Sequence, residues 1–575
     1  MILSALCDLQ ARLSKDPDSG MPRHGYSVEK IVFAIMLQSD GSYRFLDLRE
    51  QNAKGKPAPR RMMVPAAVKR TTNPLPNFLW DKTSYTLGVD VPEKSAAAEK
   101  CFRVFCEAHF LALAASEYPA VLALCNFLRT WKPDSFFEWE SHQDFLGQNC
   151  VFAWEATGEY LHDIVPLPEQ GQDEDSKGQQ MCLVTGAWAP IARIHPAIKG
   201  IWGGQSAGGA LVSFNCDSFT SYGKEQSYTA PVSQKVAQAY VAALNFLLNR
   251  ENKRCIQIGD ASTVFWAEKP CQAENILHNL LGGGGKNEDA DSLTEKREDD
   301  ARAAHQVKSL LTALRQGIPV EDALQDINAA VRFYILGLAP NAARIAIRFW
   351  LTTSFGELAE NVGKHVRDIA IVPQYERQPE FLSLWQLLVD VAMQGKSENI
   401  VSPMASAVAR AMLSGDHYPQ SFYMAAINRI RSTREVTYQR ASILKGCLVR
   451  NYNKEISQML DATRTDVPYC LGRLFAVLEK TQQDALGNIN STIRDKYIGS
   501  ASATPKVVFP QLLRLAQHHI AKSDYGGKSE RVIESIMQHV NVFPANLTNE
   551  EQGDFFIGFY HQRVANYTKT VKEEE

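Results

Sequence analysis

The chain has 575 residues, which corresponds to about three or four domains at roughly 100–200 residues per domain. Hydrophobic residues make up 45% and charged residues 22% of the sequence, and this composition excludes a wholly disordered, collagen-like or disulfide-rich chain. With 61 basic and 64 acidic side chains the formal net charge is −3, so a nucleic-acid partner has to be recognised through local clusters of cations.

The first 354 residues are predicted to form an α+β region. The dipeptide Asp40-Gly41 supplies the positive φ that a tight hairpin needs, between predicted strands over 30–37 and 43–48. Helical periodicity extends from about 93 to 131, and Ser233 is the predicted N-cap of a helix that ends near Asn249. Further strands are predicted over 151–154, 180–188, 210–214, 331–338 and 343–351.

The remaining sequence predicts a loop and two helical regions. Four consecutive glycines followed by seven acidic residues predict a flexible surface loop over 282–300. Helical patterns then predict a helical region with basic faces over 355–450 and a C-terminal bundle over 451–575. No window is apolar for the roughly 18 residues of a membrane span, and the N-terminus lacks the basic region of an export signal, so we expect a cytoplasmic protein.

The sequence contains no complete motif for catalysis, metal binding or cofactor binding. The glycine-rich run Gly203–Gly209 lacks the Gly-Lys-Ser/Thr ending of a phosphate-binding loop, and no Gly-x-Ser-x-Gly or Cys-x-x-Cys motif occurs. We therefore expect a non-enzyme without a metal or cofactor. One enzymatic alternative remains open, because the pair His162-Asp163 is typical of metal-dependent phosphohydrolases and nucleases.

Three clusters are typical of nucleic-acid binding. A proline-rich segment between Lys54 and Lys82 carries cations that can follow phosphates and two amides that can read base edges. The second cluster is the Gly203–Gly209 run, whose glycines allow close backbone approach to a ligand. The third cluster is a set of arginines on predicted helices. The predicted duplex contacts are Lys69, Arg70, Asn73, Asn77, Gly203, Gly204, Gln205 and Ser206. The predicted backbone contacts are Lys54, Lys56, Arg60, Arg61, Arg429, Arg431, Arg434, Arg440 and Arg450. Solvated loops, a hairpin tip and ordinary exposed helix faces are the alternative interpretations.

Several short phrases of the sequence together resemble one protein family. In the first half they are Asp16-Pro17-Asp18-Ser19-Gly20, Met63-Val64-Pro65, Val68-Lys69-Arg70-Thr71, Pro76-Asn77-Phe78-Leu79, Leu211-Val212-Ser213-Phe214-Asn215 and Ser221-Tyr222-Gly223-Lys224-Glu225-Gln226. Near the end they are Leu471-Gly472-Arg473-Leu474-Phe475-Ala476-Val477-Leu478-Glu479, Gly499-Ser500-Ala501-Ser502-Ala503-Thr504-Pro505 and Tyr560-His561-Gln562-Arg563. The chain thereby resembles the Csd family, the large subunit of the type I-C CRISPR Cascade, along nearly its whole length.

This resemblance implies a non-catalytic subunit of an RNA-guided DNA surveillance complex. Such a subunit lies at the 5′ end of the crRNA, recognises the protospacer-adjacent motif (PAM), assists duplex opening and R-loop stabilisation, and helps recruit a separate helicase-nuclease. The implied partners are the crRNA, double-stranded target DNA with its displaced non-target strand, the Cascade backbone and 5′-end subunits, and small subunits. An architectural scaffold whose cations contact protein is the remaining alternative.

The resemblance also implies that a C-terminal helical portion can be produced separately, as a small subunit, from an internal start. Met459 is the candidate start in this sequence, and we predict that the residues after it fold as an autonomous helical unit. For motif recognition, we predict that the Lys69 to Asn77 segment and the Gly203–Gly209 loop converge on the same short stretch of duplex.

Overall fold

The protein is described by a computed structural model. The described residues are 1–16, 19–23, 25–51, 55–68, 70, 74–92, 95–140, 142–167, 179–271, 274, 278, 309–318, 322, 328–487 and 490–567. The predicted loop over 282–300 and the predicted contacts Lys54, Lys69 and Asn73 lie outside these residues. The described chain is mixed α+β through residue 354 and mostly helical beyond it, which confirms the predicted fold class.

The elements are numbered in chain order. The strands are β1 (Tyr26–Ile31), β2 (Phe33–Leu37), β3 (Tyr43–Asp47), β4 (Glu50–Gln51), β5 (Pro57–Ala58), β6 (Arg60–Pro65), β7 (Trp80–Lys82), β8 (Asn149–Trp154), β9 (Gln179–Met181), β10 (Trp188–Pro190), β11 (Cys255–Ile258), β12 (Ala261–Ala267), β13 (Arg332–Asn341) and β14 (Arg344–Ser354). The first helices are α1 (Ile2–Leu13), α2 (Thr83–Thr86), α3 (Ser95–Ala112), α4 (Pro119–Thr130), α5 (His142–Phe145), α6 (Leu161–Ile164) and α7 (Gln234–Leu248). Those after the last strand are α8 (Phe355–Ile369), α9 (Leu384–Val391), α10 (Ser402–Ser414), α11 (Gln420–Thr433), α12 (Tyr438–Tyr452), α13 (Val467–Leu486), α14 (Ile493–Ala503), α15 (Pro505–Lys522), α16 (Gly526–Met537) and α17 (Asn549–Tyr567).

The first sheet has the strand order β3-β2-β8-β7, and β2 is buried along its whole length. The predicted hairpin at Gly41 is confirmed by the antiparallel pairing of β2 with β3. The predicted single strand over 30–37 is wrong, because the chain leaves one pairing at Val32 and enters another. Its first two residues, Lys30 and Ile31, belong to β1, which pairs instead with β6 in a separate two-stranded ribbon.

The second sheet is an antiparallel meander in the order β11-β12-β13-β14. Strand β12 is buried on both faces. Val264 and Trp266 pack into a core with α1 and α7, whereas Phe265 and Ala267 pack into the core of the helical region. A strand covered on both faces shows no alternation of apolar and polar residues, and the sequence analysis therefore missed it.

The helices beyond 355 share one hydrophobic core that extends from Ile256 to Val564. The predicted boundary near 451 falls close to the irregular segment 453–466. Two cations of this segment, Lys454 and Arg464, pair with the buried Asp554 of α17, the latter at 3.1 Å. Helices on the two sides of the segment also touch, since the Tyr423 hydroxyl of α11 donates to the Asn549 carbonyl at 2.9 Å. Autonomous folding of the part after Met459 therefore stays a prediction.

Within the described residues, no helix combines the length and the apolar character that crossing a bilayer requires.

Candidate nucleic-acid interface

The Gly203–Gly209 loop is a narrow projection with a polar tip. Its base is closed by Ile198 and Gly209, whose N–H groups each donate to the other's carbonyl at 2.9 Å. Gly208 has a φ of +86°, and a Cβ there would lie 2.7 Å from the Ile198 carbonyl oxygen, so only glycine fits. Gln205 and Ser206 are exposed at the tip. Neither side chain forms a hydrogen bond with another described residue, which leaves both free for a ligand.

Both ends of this loop are fixed to the second sheet. Before the loop, the backbone N–H of Trp202 donates to Ser262 Oγ at 2.9 Å. The half-exposed Trp202 ring lies 4.5 Å from the Arg250 guanidinium. After the loop, the Ala210 N–H donates to the Ala343 carbonyl at 3.1 Å, beside β14. The tip therefore projects from a rigid support.

The β1–β6 ribbon places cations beside this loop. Lys30 lies directly opposite Arg61 on the exposed face of the ribbon, an arrangement in which the two like charges repel each other. Arg61 is 3.6 Å from Glu251, the neighbour of Arg250. Lys199, at the base of the loop, is 3.3 Å from Glu29 of β1.

These two ion pairs connect the ribbon with the loop, so the structure brings Arg61 onto one surface with Gly203, Gly204, Gln205 and Ser206. Arg60 precedes Arg61 on β6, so its side chain points to the opposite face of the strand. Arg60 itself is exposed and lies 3.3 Å from Glu50. Lys56 is exposed on the neighbouring β4–β5 hairpin. Within the proline-rich segment, residues 57–58 and 60–65 form the strands β5 and β6.

Arg70 and Asn77 belong to a different cluster. The Arg70 guanidinium pairs with the buried Asp81 and lies 3.9 Å over the Tyr85 ring. The Asn77 Oδ1 accepts the Val68 N–H at 2.9 Å, and Asn77 is only 4% exposed. Burial raises the pKa of Asp81, an effect that the Arg70 charge opposes.

This geometry corrects the prediction that Asn77 reads a base edge, because its buried amide stabilises the segment leading to β7. Within the described residues, the polar contacts of Arg70 and Asn77 stay inside 68–85. The predicted convergence of this segment with the Gly203–Gly209 loop on one duplex stays a prediction, because Lys69 and Asn73 lie outside the described residues.

Two of the five arginines beyond residue 355 that were predicted to hold the DNA backbone are buried. Arg450 pairs with Asp368 at 2.7 Å, and Arg440 pairs with Asp390 at 2.8 Å. Their side chains are 1% and 5% exposed, so neither can reach a phosphate in this conformation. The prediction is corrected for both residues, because they neutralise carboxylates inside the helical core.

The other three arginines differ in exposure. Arg431 donates to the Gln552 side chain of α17, and Arg429 is half-buried. Arg434 is exposed at the end of α11 and has no ion-pair partner among the described residues. Their contact with nucleic acid stays a prediction.

Helix α15 carries a basic face that the sequence analysis missed. Its members are exposed and form no ion pair within the described chain: Lys506, Arg514, His518 and Lys522. They recur at intervals of four or eight residues, so they form a strip that winds around the helix axis by roughly 160° from Lys506 to Lys522. Burial, together with the charges of His518 and Lys522, lowers the pKa of His519. The signal in the sequence is the stretch 496–523, which contains no Asp or Glu.

The pair His162-Asp163 does not form a shared site. His162 is buried on α6, whereas Asp163 is exposed. Burial lowers the pKa of His162, and its Nδ1 has no hydrogen-bond partner among the described residues. In the described part of the chain, no group of three or more His, Cys, Asp or Glu side chains is placed to hold a metal ion.

A known protein family matches most of the chain. The family model described as CRISPR-associated protein (Cas_Csd1) matches residues 6–567. This range includes the Gly203–Gly209 loop, the β1–β6 ribbon and the α15 basic face. None of the curated proteins matches the chain.

Proposed function

Because the chain belongs to the CRISPR-associated Csd1 family and is a large subunit of a type I-C Cascade, we propose that it contacts target DNA through two separate surfaces without catalysing a reaction. The Gly203–Gly209 loop and the β1–β6 ribbon contact the PAM duplex, and the α15 basic face holds the displaced non-target strand. The protein acts in the cytoplasm with the crRNA, the Cascade backbone and 5′-end subunits and small subunits, and it helps recruit a separate helicase-nuclease.

The observation that carries this proposal is the exposed polar tip of the loop beside the ribbon, whose side chains form no hydrogen bond within the described part of the chain. The Gln205 amide can both donate to and accept from base edges, and its glycine neighbours allow the tip to enter a groove. Lys30 and Arg61 can hold the adjacent phosphates, which would relieve their mutual repulsion. Reading only a short duplex motif suits a subunit of a complex in which the guide pairs with the rest of the target.

Gln205→Ala is expected to weaken binding of the assembled complex to a PAM-bearing duplex by roughly 5- to 150-fold, because one base contact contributes about 1–3 kcal/mol. Binding to a target whose strands are already separated across the motif should be spared. Affinity for both targets, measured at one salt concentration, tests this expectation. Gln143→Ala is the matched control, since Gln143 is an exposed glutamine on α5, in the part of the chain built around the first sheet. Equal discrimination by the Gln205 variant and the parent would contradict the placement of the reader.

The second surface is proposed on charge alone. The α15 basic face contains three permanent cations along one helix, and such a face can neutralise phosphates without reading sequence. Its position on the C-terminal bundle separates it from the loop and the ribbon along the chain. After the guide has paired with the target strand, the other DNA strand is displaced, and its backbone remains accessible. This displaced strand is therefore the ligand that suits the α15 basic face.

Replacing Lys506, Arg514 and Lys522 together by Gln is expected to lower the affinity for single-stranded DNA equally for all sequences. The slope of log affinity against log salt should become shallower by about 2, since each phosphate contact contributes about 0.7 for single strands. Salt titrations of the assembled complex measure this slope. The control replaces Lys132, Lys364 and Arg410 by Gln, which removes the same charge from exposed positions elsewhere. An unchanged slope would show that the strand is not held on α15. If neither surface affects DNA binding, the architectural alternative is favoured.

A further inference from the structure

The turn formed by Ser221 to Lys224 presents a tyrosine entirely to solvent. The Lys224 N–H donates to the Ser221 carbonyl at 2.9 Å, and the Ser221 N–H donates to the Lys224 carbonyl at 3.3 Å. Tyr222 and Gly223 are the two central residues, with φ values of 52° and 69°. Positive φ at both positions is the geometry of a type I′ turn. Tyr222 is 100% exposed, so its ring adds nothing to the packing of the turn.

Neither folding nor turn geometry explains a tyrosine at this position. Residues with positive φ in such turns are usually Gly, Asn or Asp, because a bulky side chain is strained there. A strained residue with no packing role is the kind of outlier that points to function. The side chain itself, an aromatic ring with a hydroxyl group, therefore indicates the chemistry of a ligand.

The surroundings of the turn combine aromatic rings with cations. Lys224 is exposed two residues after Tyr222. Phe219 is 37% exposed, and the Arg344 guanidinium lies 4.8 Å over its ring. The backbone at Arg344 also pairs with Ala210, which directly follows the Gly203–Gly209 loop. The 219–224 segment and the loop are thus attached to the same end of β14. Aromatic rings interleaved with cations are typical of surfaces that bind unpaired nucleic acid.

We propose that Tyr222 stacks on an unpaired nucleobase, with Lys224 and Arg344 close to the adjoining phosphates. The inference rests on the proposed function, because it takes the neighbouring loop to contact nucleic acid. The base belongs either to target DNA opened beside the motif or to the guide RNA. Both sources offer the same aromatic face, and the experiment distinguishes them.

The test uses the assembled complex with Tyr222→Phe, Tyr222→Leu or Tyr222→Ala. Leu and Ala are expected to weaken binding of the stacked strand by roughly 5- to 150-fold, whereas Phe, which retains the ring, should bind like the parent. If the base is DNA, affinity for a target with an unpaired region falls and the guide content of the purified complex is unchanged. If the base belongs to the guide, the purified complex retains less RNA. Binding by the Leu variant equal to that of the Phe variant would overturn the proposal. Loss of a protein subunit while the guide is retained would also overturn it, since this result indicates a protein pocket for Tyr222.

Two further variants separate stacking from folding. Tyr222→Gly relieves the backbone strain, so it should unfold at the same temperature as the parent or higher and yet bind as weakly as Tyr222→Ala. Tyr375→Ala removes another tyrosine that is 62% exposed and should change neither property. If Gln205→Ala weakens duplex binding and Tyr222→Ala has no effect, the stacking site is wrong and the proposed reader stands. The reverse result supports the stacking site and overturns the reader.

Discussion

Arg450→Ala is expected to lower the free energy of unfolding of the full-length chain by about 3–5 kcal/mol, because it leaves a buried carboxylate without its ion-pair partner. The Arg450 guanidinium pairs with Asp368, donates to the Ala411 carbonyl at 3.0 Å and lies 4.3 Å over the Tyr418 ring. The nearby Lys445 ammonium donates to the backbone carbonyl of Asp368 at 2.9 Å, and burial lowers its pKa to about 8.

Urea unfolding of the purified chain, followed by circular dichroism, measures this loss. Arg434→Ala removes an exposed arginine without an ion-pair partner in the described chain. The free energy of unfolding of this variant should match that of the parent within about 0.5 kcal/mol. If Arg450→Ala unfolded like the parent and the complex carrying it lost affinity for DNA, the original assignment of Arg450 to phosphates would be restored.

Gly472→Ala is expected to lower the free energy of unfolding of the chain by about 3 kcal/mol or more. This loss is at or above the upper end of what inserting extra atoms into a packed core usually costs. Helices α13 and α17 cross in direct backbone contact at this residue. A Cβ on Gly472 would lie 1.9 Å from the Phe555 carbonyl oxygen and 2.7 Å from the Phe559 nitrogen. Backbone atoms cannot move aside as a flexible side chain can, so the two helices have to separate.

The matched control for this substitution is Gly499→Ala on α14. A Cβ at Gly499 would meet no atom within 4 Å, and alanine favours a helix over glycine by about 0.5–1 kcal/mol, so this variant should be slightly more stable than the parent. Thermal unfolding of both variants gives the comparison. Equal stability of the Gly472 and Gly499 variants would contradict the close crossing of α13 and α17.

The parts of the fold that the sequence predicted correctly are those that local chemistry determines. The Asp40-Gly41 turn and the Ser233 N-cap depend on residues next to them, and both occur where they were predicted. The predicted strand over 210–214 does not form, because only Ala210 pairs with another strand, at Arg344. Pairings between residues far apart in the chain leave no local signal.

The candidate site was harder to predict, because a count of charges does not report burial. Arg440 and Arg450 lie on α12, which is buried around most of its circumference and also carries buried apolar residues such as Ile443 and Leu444. The α15 basic face carries fewer cations, but it exposes them, and they form no ion pair with the acidic residues that the structure describes. Family membership was predicted correctly, because the resemblance depends on phrases distributed along the whole chain.

The double attachment of Asp554 has a consequence for a shorter polypeptide. Its two cations come from opposite sides of Met459, because Lys454 precedes that residue and Arg464 follows it. A translation product that began at Met459 would lose Lys454 and keep Arg464, so the buried carboxylate would still have one counter-charge. In both the long and the short product, a cation of the segment 453–466 would therefore balance the negative charge of Asp554.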